Sequence, residues 1–238
     1  TLTRFFLRSF QAYITMSETV NAELHAYTQK PSLNIAHPIN ESLGQAVERS
    51  LAREKLGLRE EDNILLFFGI VRKYKGLHLL IESLAQDCLD KINLKLLVVG
   101  EFYEDEDEYR QLIHELGLTD RVIITNQYIP TEDVKIYFSA ANLVTQTYIT
   151  ASQSGVTQMA YNFNRPILVT NVGGLAEVVI DGKTGYLCQK KPKDIARAIA
   201  DFFVNKREPE FEQEVSRVKE QYSWKHFAQQ VMKMAKEL

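Results

Sequence analysis

Apolar stretches at residues 64–68, 94–99, 122–124, 143–147 and 167–170 alternate with stretches whose apolar residues recur every three or four positions. The latter hold Leu77, Leu80, Ile81 and Leu84, then Leu112, Ile113 and Leu116, then Val134, Tyr137 and Phe138. Near-continuously apolar strands leave no face for water, so helices must cover both sides of the sheet they form. Successive β-α-β units cross over right-handedly almost without exception. The pattern predicts an α/β fold with a doubly wound, Rossmann-like parallel sheet over residues 40–205, with flanking helices.

The rest of the chain is organised around that unit. Residues 1–39 read as the remnant of another domain: a helix end near RFFLRSF, short strands at residues 12–16 and 33–36, and a helix capped by Ser17. The chain opens on Thr1 in mid-pattern, which reads as a piece of a longer protein. Residues 206–238 read as C-terminal helices, the last capped by Ser223, with Trp224, Phe227, Val231 and Met234 on one face that is either exposed or laid over the remnant. A net charge of -3 gives no electrostatic case for nucleic acid. No apolar run approaches the ~20 residues of a membrane span. Cys88 and Cys188 lie far apart, without metal-ligand spacing, and read as reduced thiols.

In an open α/β sheet a ligand binds beyond the carboxyl ends of the strands. Three glycine-bearing loops fall there, and together they suggest a crevice for an anion. In ILLFFGIVRKYKG, Gly69, Arg72 and Lys75 form either a diphosphate clamp or a solvated basic turn. In ASQSGVTQ (residues 151–158), Ser154, Gly155, Val156, Thr157 and Gln158 open a helix whose N–H groups suit a phosphate or a sugar, or simply cap that helix. In NVGGLAE (residues 171–177), Gly173, Gly174 and Glu177 form a ligand loop or a tight turn ahead of a surface glutamate. Gly100 and Tyr128 follow the second and third strands and join the candidate set. The acidic run EDEDE at residues 104–108 mimics a metal motif but sits where a helix dipole favours acidic residues, and no metal site is assigned.

Placed in order, these segments resemble the C-terminal, donor-binding half of a GT-B glycosyltransferase of family 4 (glycosyl transferases group 1). The resemblance is carried by HPIN, FFGIVRKYKG, LKLLVVGE, RVIITNQYIPTEDVKIYFSAANLVTQ, RPILVTNVGGLAEVVIDGKTGYL and YSWKHFA. It implies transfer of a sugar from a nucleoside diphosphate sugar to an acceptor hydroxyl, with retention, without a required cofactor, in polysaccharide or glycolipid assembly. It also implies a carbohydrate or lipid-linked acceptor bound by an N-terminal half, through which the protein would sit at the membrane, and a cytoplasmic location at the inner face. A nucleotide-sugar epimerase on the same scaffold and a non-catalytic nucleotide-sugar-binding homologue are the alternatives.

The resemblance assigns Arg72 and Lys75 as the catalytic cations, with Arg72 standing in for an arginine slot that holds Ile70. It departs at a pair of glutamates that the family carries before the proline-containing strand: those slots hold Ala151 and Met159, or Thr150 and Gln158 on a one-residue slip, and neither register restores a glutamate. Gln158 and Ser154 or Gln153 are the expected substitutes for contacts to the ribose and the sugar. Glu177 keeps its match.

Overall fold

The computed structural model describes residues 2–238; Thr1, first in the 1–39 segment, lies outside them. Strands β1 (Tyr13–Thr15) and β2 (Ser32–Asn34) pair in parallel as a small separate ribbon. Strands β3 (Asn63–Phe68), β4 (Leu94–Val99), β5 (Val122–Thr125), β6 (Leu143–Gln146), β7 (Ile167–Thr170) and β8 (Gly185–Cys188) form one six-stranded sheet in the order β5-β4-β3-β6-β7-β8. Every pairing in it is parallel. The expected doubly wound α/β architecture is therefore present.

The alternation along β3 explains the layering. Ile64, Leu66 and Phe68 face one apolar layer with Phe138, Val144 and Ile167. Leu65 and Phe67 face the other with Leu80, Leu96 and Ile199. Burying each such side chain contributes about 1.5–3 kcal/mol, so both sheet faces are held by apolar packing. β8 was not among the expected strands. Its sequence, GYLC, is a short edge strand with half-buried middle residues, so it lacks the continuous apolar signature of β3 or β4.

The flanking segments dock by local chemistry. Ser17 Oγ accepts the Val20 N–H at 3.2 Å and caps helix Glu18–His25. Ser223 Oγ accepts the His226 N–H at 3.1 Å and caps helix Trp224–Glu237. That last helix lies against β2, with Phe227, Val231 and Met234 half-buried and the Trp224 ring 6.5 Å from His37. Phe227, Val231 and Met234 thus cover the N-terminal segment, while Trp224 stays exposed. Arg49 pairs with Glu208 at 2.5 Å and Glu212 at 3.1 Å, while Arg165 joins both carboxylates from the strand side. This cluster fixes helix Glu208–Val218 to the end of the sheet opposite the loops of interest.

Candidate active site

The chain runs outward from β3 through β4 to β5, then returns to start β6 on the other side of β3. The loops after β3 and β6 therefore diverge around a crevice at the topological switch point, where doubly wound sheets bind their ligands. Cross-bonds hold the two loops at a fixed separation. The Ile149 N–H donates to Tyr74 O at 2.7 Å, and Thr147 Oγ1 donates to Gly76 O at 2.8 Å. A cleft of about 470 Å³ lies between them, walled by Tyr74, Lys75 and Tyr148 on one side and residues 150–154 on the other.

The β3 loop depends on two glycines. Gly69 has φ +96°, and Gly100, at φ +136°, comes so close that an added Cβ would stand 2.5 Å from Gly69 O. Side chains are excluded from both positions. The Gly69 N–H donates to Val99 O at 2.8 Å and the Val71 N–H to Glu101 O at 2.8 Å, which ties the β3 and β4 loops together.

Lys75 is brought back over this loop. Its Nζ would lie 3.4 Å from a Cβ on Gly69 and stands 5.7 Å from the centre of the Tyr148 ring. Among the described residues its ammonium makes no ion pair. Burial, and secondarily the charge of Arg72, lower its pKa to about 8. Arg72 is exposed, its guanidinium 4.9 Å above the Tyr103 ring. Lys73, by contrast, pairs with Glu108 at 3.7 Å. The two cations assigned from the sequence are thus the two that remain unpaired on this loop among the described residues.

The β6 loop leads into helix Gly155–Asn162. Val156 Cγ2 would be 3.9 Å from a Cβ on Gly69, so this helix N-terminus faces the β3 loop. Gly155 is exposed, with nothing within 4 Å of its missing Cβ. Ser154 and Thr157 turn inward. Ser154 Oγ accepts the Val156 N–H at 3.3 Å and the Gln146 Nε2 hydrogen bond at 2.5 Å. Thr157 Oγ1 donates to Gln146 Oε1 at 2.7 Å, and Gln146 Nε2 also donates to the Tyr148 hydroxyl at 3.2 Å. These hydroxyls therefore shape the wall of the cleft from behind. Gln158 is buried and its Oε1 has no hydrogen-bond partner, an orphaned acceptor of the kind that folded proteins seldom leave. Ala151 and Met159 are half-buried, Met159 against the core.

The β7 loop closes the third side. An added Cβ on Gly173 (φ +44°) would lie 1.8 Å from Ala151 O, and one on Gly174 would lie 2.0 Å from Ser152 O. The Gly174 N–H donates to Ser152 O at 3.1 Å. Glu177 does not line the cleft; its carboxylate accepts hydrogen bonds from Glu18 and Thr19. Tyr128 sits exposed after β5, two strands from the switch point.

The structure thus brings together Gly69, Gly100, Lys75, Ser154, Gly155, Val156, Gly173 and Gly174, with Arg72 at the rim. It leaves Tyr128 and the Glu177 carboxylate outside the cleft. Sequence reasoning did not single out Gln146, Tyr74 or Tyr148. The available signal was a glutamine closing the buried strand LVTQ, followed two residues later by a tyrosine.

Residues 48–234 match the family described as Glycosyl transferases group 1. The lipopolysaccharide 1,2-N-acetylglucosaminetransferase of Salmonella typhimurium is 29% identical over 191 residues, covering 74% of this chain and 49% of that protein. The chain spans about half the length of the curated relatives it matches. Among solved structures, Anabaena HepE in complex with UDP superposes with a TM-score of 0.84 at 21% identity, covering 96% of this chain and 64% of that one. The C-terminal domain of a glycosyl transferase group 1 family protein from Francisella tularensis superposes with a TM-score of 0.67 at 19% identity, covering 77% of this chain and 97% of that one. The structural likenesses speak for the fold; the match over residues 48–234 shows that the chain belongs to the glycosyl transferases group 1 family.

Proposed function

We propose that this chain is the donor-binding half of a family 4 glycosyltransferase that transfers a sugar, with retention, from a nucleoside diphosphate sugar to an acceptor hydroxyl. The observation that carries the reading is Lys75: an unpaired, half-buried ammonium held over Gly69 at the switch point and facing a helix N-terminus. Holding a cation there without a carboxylate costs folding energy, and a bound anion would offset that cost. In this reading Lys75, Arg72 and the first N–H groups of helix Gly155–Asn162 take the charge of the leaving diphosphate. Gln158, whose Oε1 is buried and unpaired, would accept from a ribose hydroxyl once its side chain turns towards the cleft. The Gly69, Gly100, Gly173 and Gly174 backbones leave room for the donor to approach.

We assign residues 1–39 to the acceptor half, residues 40–205 to the donor domain and residues 206–238 to its closing helices. The acceptor is a carbohydrate or a lipid-linked sugar, and the setting is polysaccharide or glycolipid assembly at the cytoplasmic face of a membrane. Among the described residues no helix is long and apolar enough to cross a membrane; in this reading the acceptor half makes a peripheral attachment. The name of the relative that acts on lipopolysaccharide supports this class.

One observation favours a second reading. Ala151 and Met159 occupy the slots where a glutamate pair is expected, and among the described residues no carboxylate lines the cleft. A homologue that binds nucleotide sugar without transferring it would have this site. Calorimetric titration with UDP, GDP and ADP tests the shared claim: micromolar binding of one of them supports a donor site, and binding of none removes both readings. Sugar transfer or donor hydrolysis by the full-length protein then selects the first reading. Its absence alongside intact donor binding selects the second.

A further inference from the structure

Glu177 lies on the loop that carries Gly173 and Gly174, yet its carboxylate is already engaged. Oε2 accepts the Glu18 N–H at 2.6 Å, and Oε1 accepts the Thr19 N–H at 3.1 Å and the Thr19 hydroxyl at 3.0 Å. Ser17 Oγ takes the next donor, the Val20 N–H, at 3.2 Å. The first-turn N–H groups of helix Glu18–His25 have no partners within the helix. Here they are met by the helix's own cap and by a residue 158 and 159 positions away. A carboxylate at this place is favoured by the helix dipole and by charge-assisted hydrogen bonding. The fit is close: Ser17 Cβ would stand 2.7 Å from a Cβ on Gly174, so only glycine admits the helix start there.

We propose that Glu177 is a positioning residue rather than a donor ligand. It clamps helix Glu18–His25 onto the tandem-glycine loop, which in turn holds the cleft wall through the Gly174 N–H to Ser152 O bond. The path runs from Glu177 through the helix start and Gly174 to Ser152. Turning the carboxylate towards a ligand would break three hydrogen bonds at once. Binding at the cleft and docking of the N-terminal segment are then coupled, each strengthening the other by the same factor. The clamp stands by itself; its bearing on the donor rests on the function proposed above.

Two substitutions separate the alternatives. Glu177→Ala removes the acceptor. Glu18→Pro removes the donor of the shortest bond and leaves Glu177 in place. Proline suits this position, because Glu18 is the first helical residue and Ser17 before it is extended (φ -157°, ψ 152°). In the 238-residue chain, Glu177→Ala should speed amide exchange at Thr19 at least about tenfold. Both variants should weaken UDP binding, Glu18→Pro by the smaller factor because it removes one of the three hydrogen bonds, and the double variant should bind UDP like Glu177→Ala within about twofold. A loss of UDP affinity in Glu177→Ala that Glu18→Pro does not share overturns the proposal, as does a Thr19 amide that stays protected in Glu177→Ala. If the unsubstituted chain fails to bind UDP, the donor-site reading falls, and exchange at Thr19 alone decides the clamp.

Discussion

The Lys75 ammonium stands 5.7 Å from the centre of the Tyr148 ring, and the Tyr148 hydroxyl is in turn hydrogen-bonded by Gln146 at 3.2 Å. The ring thus presents its face to a cation while its polar end is tied into the sheet. Such an arrangement contributes about 0.5–2 kcal/mol. It keeps Lys75 in place without neutralising it, as a carboxylate would.

This relationship has a pH signature of two opposite signs. Burial and Arg72 lower Lys75 to about 8 in the folded chain, from 10.5. Between those values the unfolded chain binds the extra proton, so the contribution of Lys75 to folding stability rises with pH across that window. Anion binding needs the protonated form. UDP affinity should therefore fall by about tenfold between pH 7 and pH 9.5, with proton uptake on binding near pH 8. Calorimetry in buffers of different ionisation enthalpy reads both; a flat profile would remove Lys75 from the site.

The glycines of the cleft should divide by role. Gly173→Ala places a Cβ 1.8 Å from Ala151 O at φ +44°, and should cost about 2–5 kcal/mol in urea unfolding. Gly155→Ala meets nothing within 4 Å and sits in helical backbone, so it should leave stability unchanged or raise it by ~0.5–1 kcal/mol. If a diphosphate comes up to that helix N-terminus, the same Gly155→Ala should weaken UDP binding. Unaltered affinity would place the phosphates elsewhere.

Gln146 is the hub of the buried relay behind the loop. Gln146→Leu keeps the volume but strands the Thr157 hydroxyl and takes one partner each from Ser154 and the Tyr148 hydroxyl, which keep their 3.3 Å contact, and should cost about 1–3 kcal/mol of stability. Denaturant unfolding measures it. A neutral result would mean that those hydroxyls re-pair with water.

The two thiols should differ in reactivity. Cys188 is buried, and burial pushes its thiol up to about 12, whereas Cys88 is exposed. A thiol-specific chromogenic reagent should label one cysteine per native chain, Cys88, and both after unfolding.

β3, β4 and β7 were legible because they are buried on both faces, which leaves near-continuous apolar runs in the chain. β8 was not, since an edge strand needs only one buried side and GYLC carries too few apolar residues to stand out. The phosphate-side candidates were legible because close backbone approach demands glycine at Gly69, Gly100 and Gly173. The direction in which a side chain turns is decided by tertiary contacts that no local spacing encodes. Thr157 faces Gln146 rather than the cleft, and Glu177 faces a helix start far away in the chain. Likewise, the half-burial of Lys75 follows from the return of the loop over Gly69, which the run RKYKG does not reveal.

The most direct test is the affinity of this chain for its preferred nucleoside diphosphate, measured by calorimetry without added metal, before and after Lys75→Ala. A charged hydrogen bond of this kind contributes ~1.5–3 kcal/mol, so the substitution should weaken binding by about tenfold to a hundredfold while leaving the unfolding midpoint unchanged or higher. Equal affinity in the two proteins would contradict the assignment of Lys75 as the cation that holds the diphosphate.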